Sequence, residues 1–306
     1  MTGAARWPDW QTDGRDWPHR GASRFVETGG YRWHVQLEGP EDAPALILLH
    51  GTGASSHSWR HVMTHLGGAF RLVVPDLPCH GFTRPSGHAD LSLPGMVTAL
   101  AALLRKLDIV PQGLAGHSAG AAIAVKLAGT LFAATPGPEG RFVVGINGAF
   151  LPIRGYSLLS PMAKMLFANP LSASMFAALT RHTPLGENLI SSTGSRIDAE
   201  GAEFYRRLMA HPGHVQGALG MMAAWNLDGF RDVVTRLDTP LTLVAAADDP
   251  MVPSANSREM AAAARNGRLV LARTGGHLIH ESEPQQVCEW ITAAAAKASA
   301  RVEDAA

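Results

Sequence analysis

Six short runs of the chain are almost uninterruptedly apolar: ALILLH (45–50), RLVVPD (71–76), GLAGH (113–117), FVVGIN (142–147), LTLVAAA (241–247) and RLVLAR (268–273). A strand with one wet face alternates apolar and polar residues, so unbroken runs of this length suit strands buried on both faces of a parallel sheet. Stretches of helical pattern separate several of them, at 55–66, 94–107, 119–133, 254–265 and 284–299. The first opens on Ser55 and Ser56 and the second has Pro94 near its start, both helix-initiating signals. Ahead of these, RFVETGGYRWHVQLEG alternates about a Gly-Gly pair and predicts a β-hairpin. Strand–helix alternation on this scale predicts the α/β class, with a mostly parallel, doubly wound sheet.

The alternation stops between 152 and 228. That segment is helical in composition, is punctuated by Pro and Gly, and carries six of the eleven methionines: Met162, Met165, Met175, Met209, Met221 and Met222. It is expected to form a helical cap inserted into a core made of 24–151 and 229–306. Residues 1–23 form an arm with Trp7, Trp10 and Trp17 as anchors, since large rings bury much area for few residues. The arm either packs on its own domain or docks on a partner. The methionines either fill gaps between cap helices or adapt to a flat aromatic ligand.

Composition narrows the function classes. Lys plus Arg and Asp plus Glu both number 26, and this balance argues against nucleic acid as a partner. The two cysteines, Cys79 and Cys288, make no disulfide framework and fit a reducing compartment. No apolar run approaches the roughly 20 residues of a membrane span, and the polar, Trp/Pro-rich start lacks a signal-peptide core. A cytoplasmic protein is expected, with a peripheral contact to a membrane left open.

Four elements that could carry chemistry follow strands, where open α/β sheets bind their ligands. Gly116-His117-Ser118-Ala119-Gly120 matches G-x-S-x-G between a strand and a helix; the small residues permit a sharp elbow that exposes a serine oxygen. His50-Gly51-Thr52-Gly53 is a glycine-rich turn, from which the Thr52 amide together with that of Ala119 could receive an oxyanion. Asp248 and Asp249 end another strand, and Gly275-Gly276-His277 follows the last. The order Ser…Asp…His suits one hydrolase architecture. His277, with an unperturbed value near 6.5, would take the Ser118 proton and return it to a leaving group. Asp249 would orient the imidazole, with Asp248 as its rival.

Further candidates are weaker. His117, Phe150, Met162, Met165, Met221 and Trp225 are expected to line a substrate site, with Phe167 and Phe176 as further apolar candidates. His57, His61 and His65 recur every four residues, a spacing that can hold a metal but is more often solvated or hydrogen-bonded. His280 is expected to support the loop of His277. No dinucleotide fingerprint, P-loop or cysteine ligand cluster occurs, so neither cofactor nor resident metal is expected.

These motifs resemble the α/β-hydrolase superfamily over roughly 24–299. A closer resemblance rests on DWPHRGASRFVE (16–27), RWHVQ (32–36), LLHGTGASSHSWR (48–60), VPDLPCHGFT (74–83), SLPGM (92–96), GHSAGAA (116–122), SPMAKMLFANPL (160–171) and STGSRID (192–198). In these the chain is similar to the BchO-type accessory-protein family of magnesium chelatase in bacteriochlorophyll synthesis. The resemblance implies an α/β-hydrolase fold and a role beside magnesium insertion into protoporphyrin IX. It implies a tetrapyrrole or similarly hydrophobic ligand, chelatase subunits as partners, and a place in the cytoplasm near the photosynthetic membrane. It leaves open whether the protein hydrolyses an ester or only binds and delivers porphyrin. Cys79 departs from the glycine that superfamily members commonly carry there.

Overall fold

The apolar runs pair as expected. The computed structural model describes residues 6–134, 139–151 and 169–303, and among these a nine-stranded sheet forms. β1 (Ser23–Thr28) and β2 (Tyr31–Glu38) make the antiparallel hairpin. Its turn residues Gly29 and Gly30 have φ of +61° and +81°, the left-handed pair that a tight hairpin turn demands. Then come β3 (Ala45–Leu49), β4 (Arg71–Pro75), β5 (Arg84–Pro85), β6 (Gly113–His117), β7 (Phe142–Ile146), β8 (Leu241–Ala246) and β9 (Gly267–Ala272). The strand order is β1-β2-β4-β3-β6-β7-β8-β9, with β5 paired to β2. β2 runs antiparallel to β4, and every neighbouring pair from β4 to β9 is parallel.

Both faces of the sheet are covered, which is why the strands need no polar face. Leu46, Leu48, Leu72 and Val74 pack on one side with Trp59, Val62 and Met63 around α1 (Arg60–Leu66) and with Val287 and Ile291 of α11 (Pro284–Glu303). Their chain neighbours Ile47, Leu49 and Val73 point the other way, into α2 (Leu93–Lys106) and α3 (Ala119–Ala134). This is the period-two alternation of a strand, with both halves apolar. Each such side chain contributes about 1.5–3 kcal/mol when fully buried. The start of α2 follows from its sequence: Ser92 Oγ accepts from the Gly95 amide at 3.2 Å, with a proline in the first turn.

Between β7 and β8 lie α4 (Pro170–His182), α5 (Leu185–Ser191), α6 (Ala199–Met209), α7 (Pro212–Ala224) and α8 (Phe230–Thr235). α9 (Ser254–Ala263) follows β8, and the short α10 (Ile279–Ser282) precedes α11. Met162, Met165 and Phe167 lie outside the described residues.

The arm packs on its own chain and bridges the sheet to the inserted helices. Trp17 is buried with Phe82 of the core and with Phe204 and Leu208 of α6, and its indole N–H donates to Ser56 Oγ at 3.2 Å. Arg207 of α6 donates to the Asp13 carbonyl at 2.6 Å and to Asp16 at 2.5 Å.

One expected element changes form. The stretch read as a single helix over 55–66 begins as a 3-10 turn, Ser56–Trp59, before α1. All four turn residues are buried, and the Ser56 amide donates to Asp76 Oδ1 at 2.8 Å. Long-range partners therefore override the local pattern, and the histidine stripe is broken. His57 Nδ1 meets Ser55 Oγ at 2.7 Å, His61 Nε2 meets Asp198 at 2.6 Å, and His65 Nδ1 meets the His61 carbonyl at 2.7 Å.

Candidate active site

Ser118 is the residue between β6 and α3, and its φ is +52°. A side-chain-bearing residue is uncommon in that region and is held there at a cost, and a tight strand-to-helix turn is one place that requires it. Two glycines make the turn possible. A Cβ on Gly116 would stand 2.1 Å from the Gly120 carbonyl oxygen, and one on Gly120 would stand 2.3 Å from that of Leu49. The elbow is tied to β7 by the Ser118 amide, which donates to the Ile146 carbonyl at 2.9 Å. Ala119 opens α3, so its amide is among the first-turn donors that have no carbonyl within the helix.

The acid and base come from the next strands. His277 Nδ1 lies 2.8 Å from Asp249 Oδ2; the Asp249 side chain is fully buried while that of His277 keeps 11% exposure. The other Asp249 oxygen accepts from the Met251 and Val252 amides at 2.8 and 3.0 Å. A carboxylate only accepts, so the imidazole donates from Nδ1 and keeps Nε2 as its basic nitrogen. Asp248 serves the backbone instead. Its carboxylate accepts from the Gly275 and Gly276 amides at 3.3 and 3.0 Å, folding the loop that carries His277. Among the described residues Ser118 Oγ closes no hydrogen bond onto the imidazole, and such contacts are often long before substrate binds.

Three residues that the sequence pattern does not single out hold this arrangement. Asn147, buried at the end of β7 with φ +46°, accepts from the Ala246 amide at 2.8 Å. Its Nδ2 donates to the Gly276 and His277 carbonyls at 2.8 and 2.9 Å, so it joins the acid-bearing strand to the base-bearing loop. Ser195 Oγ donates to the Gly275 carbonyl and accepts from the Leu278 amide, both at 2.7 Å. The Thr193 carbonyl accepts from the His277 amide at 2.8 Å. The local signals are at Asn147, an amide residue directly after a strand in a position that tolerates left-handed backbone, and in the stretch STGSRID (192–198), which contains Thr193 and Ser195 but says nothing of their partners.

The expected oxyanion turn follows β3. His50 Nε2 accepts from the Leu77 amide at 2.8 Å, so its Nδ1 donates to the Gly51 carbonyl at 2.8 Å. Gly53 has φ +77°. A Cβ on Gly51 would come within 3.0 Å of both His117 Nδ1 and Ser118 Cβ, which fixes how closely the turn approaches the serine.

Several expected substrate contacts are committed elsewhere. His117 is buried: it donates from Nε2 to the His277 carbonyl at 2.8 Å and stacks on His280 at 4.1 Å. It therefore supports the loop that carries His277. Phe150 is buried against Phe230, 5.8 Å away and nearly parallel, so it is core. Met221 is fully buried and accepts at Sδ from Thr52 Oγ1 at 3.5 Å. Trp225 ends α7, half-buried against the same core, and Phe176 is half-buried against Ala173, Ala177 and Val215.

Burial governs the surrounding electrostatics. His50, His57, His80, His117 and His280 are held below the ordinary imidazole value by desolvation, and His214 is pushed down to about 4 by the same cause. Burial pushes the Glu281 carboxyl up to about 7 against the pull of Arg60. Burial also raises the Cys79 thiol to about 12, so this cysteine is no thiolate nucleophile. Cys79 has φ +63°, the conformation that explains why glycine is the easy residue at its position.

The alpha/beta hydrolase family matches residues 46–290. The chain is 38% identical over 270 residues to the magnesium-chelatase 30 kDa subunit of Rhodobacter capsulatus, covering 87% of this chain and 92% of that one. Two solved structures share the fold at lower identity. An alpha/beta hydrolase fold protein from Burkholderia ambifaria superposes with a TM-score of 0.71 at 22% identity, over 88% of this chain and 98% of that one. A thermophilic esterase from Thermogutta terrifontis gives 0.66 at 20% identity, over 89% and 99%.

Proposed function

The chain belongs to the alpha/beta hydrolase family, and from that premise we propose that it is a serine hydrolase of the carboxylic-ester type. Ser118 Oγ attacks the ester carbonyl, and its proton passes to His277 Nε2. Asp249 holds the opposite N–H and stabilises the imidazolium. The tetrahedral oxyanion is received by the amides of Thr52 and Ala119, the latter at a helix N-terminus. His277 then gives its proton to the leaving alkoxide, and a water repeats the sequence to release the acid. The observation that carries this reading is the left-handed backbone at Ser118, whose neighbour His117 bonds the His277 carbonyl, together with a buried Asp249 carboxylate that holds the His277 ring at 2.8 Å.

In this reading the inserted helices act as the cap over this site, as the contacts of α7 with the turn 51–53 support, and select a lipophilic substrate. The name of the Rhodobacter relative supports chelatase subunits as partners; the motif resemblance extends the proposal to bacteriochlorophyll formation, with a tetrapyrrole as the ligand. No helix among the described residues is long and apolar enough to cross a membrane; the proposed setting is the cytoplasm, at the margin of the photosynthetic membrane.

The test pairs hydrolysis of an aryl ester with titration of protoporphyrin fluorescence, on wild type and Ser118→Ala. The expected result is turnover that is lost in Ser118→Ala, with porphyrin quenching retained by both proteins. A Ser118→Ala protein with full turnover would end the mechanism. Quenching by a wild type that hydrolyses nothing would replace the enzyme with a carrier.

A further inference from the structure

The inserted helix α7 presents one face to the loops around Ser118, through residues 214, 217 and 221, which share a side of a helix. His214 is fully buried. Its Nδ1 accepts from the Gly81 amide at 3.0 Å, so Nε2 carries the proton and donates to the Gly53 carbonyl at 3.1 Å. Gly217 fits against Cys79: a Cβ there would stand 2.0 Å from the Cys79 carbonyl oxygen. Met221 Sδ accepts from Thr52 Oγ1 at 3.5 Å. Two of these contacts grip the turn 51–53, and two grip the loop 79–81.

We propose that His214 is a positioning residue for the oxyanion turn, through its bond to the Gly53 carbonyl, so that α7 is a fixed part of the catalytic apparatus. The inference rests on the hydrolase reading for its effect on turnover, but its structural half stands alone. The Thr52 amide is useful only at one angle. Gly53 follows it with a backbone that has no side chain to steady it, and the peptide between Gly53 and Ala54 is anchored on its carbonyl side by His214. The Gly51 carbonyl at the start of the turn accepts from His50 Nδ1 at 2.8 Å and from the Ala54 amide at 3.2 Å, and Thr52 Oγ1 reaches Met221 Sδ at 3.5 Å, so His214 is the side chain that holds the Gly53 carbonyl. Without the imidazole this turn would sample other angles, and misplacement on the ångström scale is enough to lose about a hundredfold in rate.

Two variants separate this role from plain stability. His214→Phe keeps ring volume and loses both bonds. His214→Asn places its amide oxygen near the position of Nδ1, keeping the bond from Gly81 and losing the one to Gly53. Each is compared with wild type for melting temperature, for amide hydrogen exchange over 51–54, and for affinity toward an aryl trifluoromethyl ketone. Ser118 Oγ adds to that ketone, its proton goes to His277, and the former carbonyl oxygen becomes the oxyanion. The expected result is faster exchange over 51–54 in both variants and ketone affinity weakened roughly 10- to 100-fold in both, below the loss for deleting an oxyanion donor outright. KM for a small ester should change little, and His214→Asn should recover stability without recovering affinity. Unchanged exchange and unchanged affinity in folded His214→Phe would overturn the inference. So would an affinity in His214→Asn that returns in step with its melting temperature. If the wild type binds no ketone while exchange over 51–54 still rises in both variants, the positioning role stands and the hydrolase reading falls.

Discussion

Among the described residues two serine–histidine–aspartate series stand out, and they differ where it matters. In the first, Asp249 holds His277 at 2.8 Å and Ser118 stands on a left-handed elbow. In the second, Asp76 Oδ2 meets His34 Nδ1 at 2.9 Å, and His34 Nε2 meets Ser23 Oγ at 2.9 Å. Measured by hydrogen bonds alone, the second is the more complete. Yet Ser23 lies on ordinary extended backbone, φ −71° and ψ 136°, with no helix N-terminus behind it. His34 and Asp76 are both fully buried. Asp76 is also saturated by the Ser56 and Phe82 amides at 2.8 Å each. That series ties β1 and β2 to the loop after β4. A nucleophile is distinguished by a forced backbone at the sheet rim, with donors waiting for charge, more than by the series itself.

The comparison can be broken most forcefully by exchanging activity for stability. Ser118→Ala should lower ester turnover on the order of 10⁶-fold and Asp249→Asn about 10⁴-fold, both with little change in melting. Turnover of Asp249→Asn near wild type, measured by initial rates, would move the acid elsewhere. Asp76→Ala should do the reverse. It leaves the His34 ring and two buried amides without an acceptor, so chemical denaturation should report a loss of about 3–5 kcal/mol.

A pH series sharpens the contrast at intermediate scale. Six buried histidines are held below their ordinary value. The unfolded chain therefore takes up protons below about pH 6.5 that the folded chain refuses, and stability falls as pH falls. Each adds to that fall until its own folded value is reached. Glu281, raised by burial, opposes them with one slope of the other sign between its unfolded and folded values. Asp76, depressed by His34 against the effect of burial, contributes stability above its unfolded value of about 3.9 that is lost at lower pH. Denaturant midpoints at pH 7 and pH 5 test this, and His214→Phe should flatten the fall by its share. The smallest effect is expected of Ser23→Ala, about 1 kcal/mol of stability with turnover intact.

How much was legible follows from distance along the chain. The six apolar strands, the hairpin and the serine elbow are written in contiguous residues, and each forms where the pattern expects, whereas the two-residue β5 (Arg84–Pro85) has no such signal. The helix over 55–66 was misread at its start because Asp76 and Trp17, far away in sequence, bury the turn before α1. The struts were invisible for the same reason. Asn147 reaches His277 across 130 residues, and His214 reaches Gly53 across 161; neither belongs to a motif. Asp248 and Asp249 are indistinguishable as letters, and only the folded loop assigns one to amides and the other to the imidazole. His117 and Phe150 read as ligand contacts because apolar and aromatic character does not say which side of a rim a residue faces.

Treating the native wild-type protein with a fluorophosphonate and mapping the adduct by peptide mass spectrometry shows which serine is the nucleophile. One phosphonyl group is expected on Ser118, absent from Ser118→Ala and undiminished in Ser23→Ala. A folded protein that takes no label at Ser118, or one that carries it on Ser23 instead, would contradict that assignment.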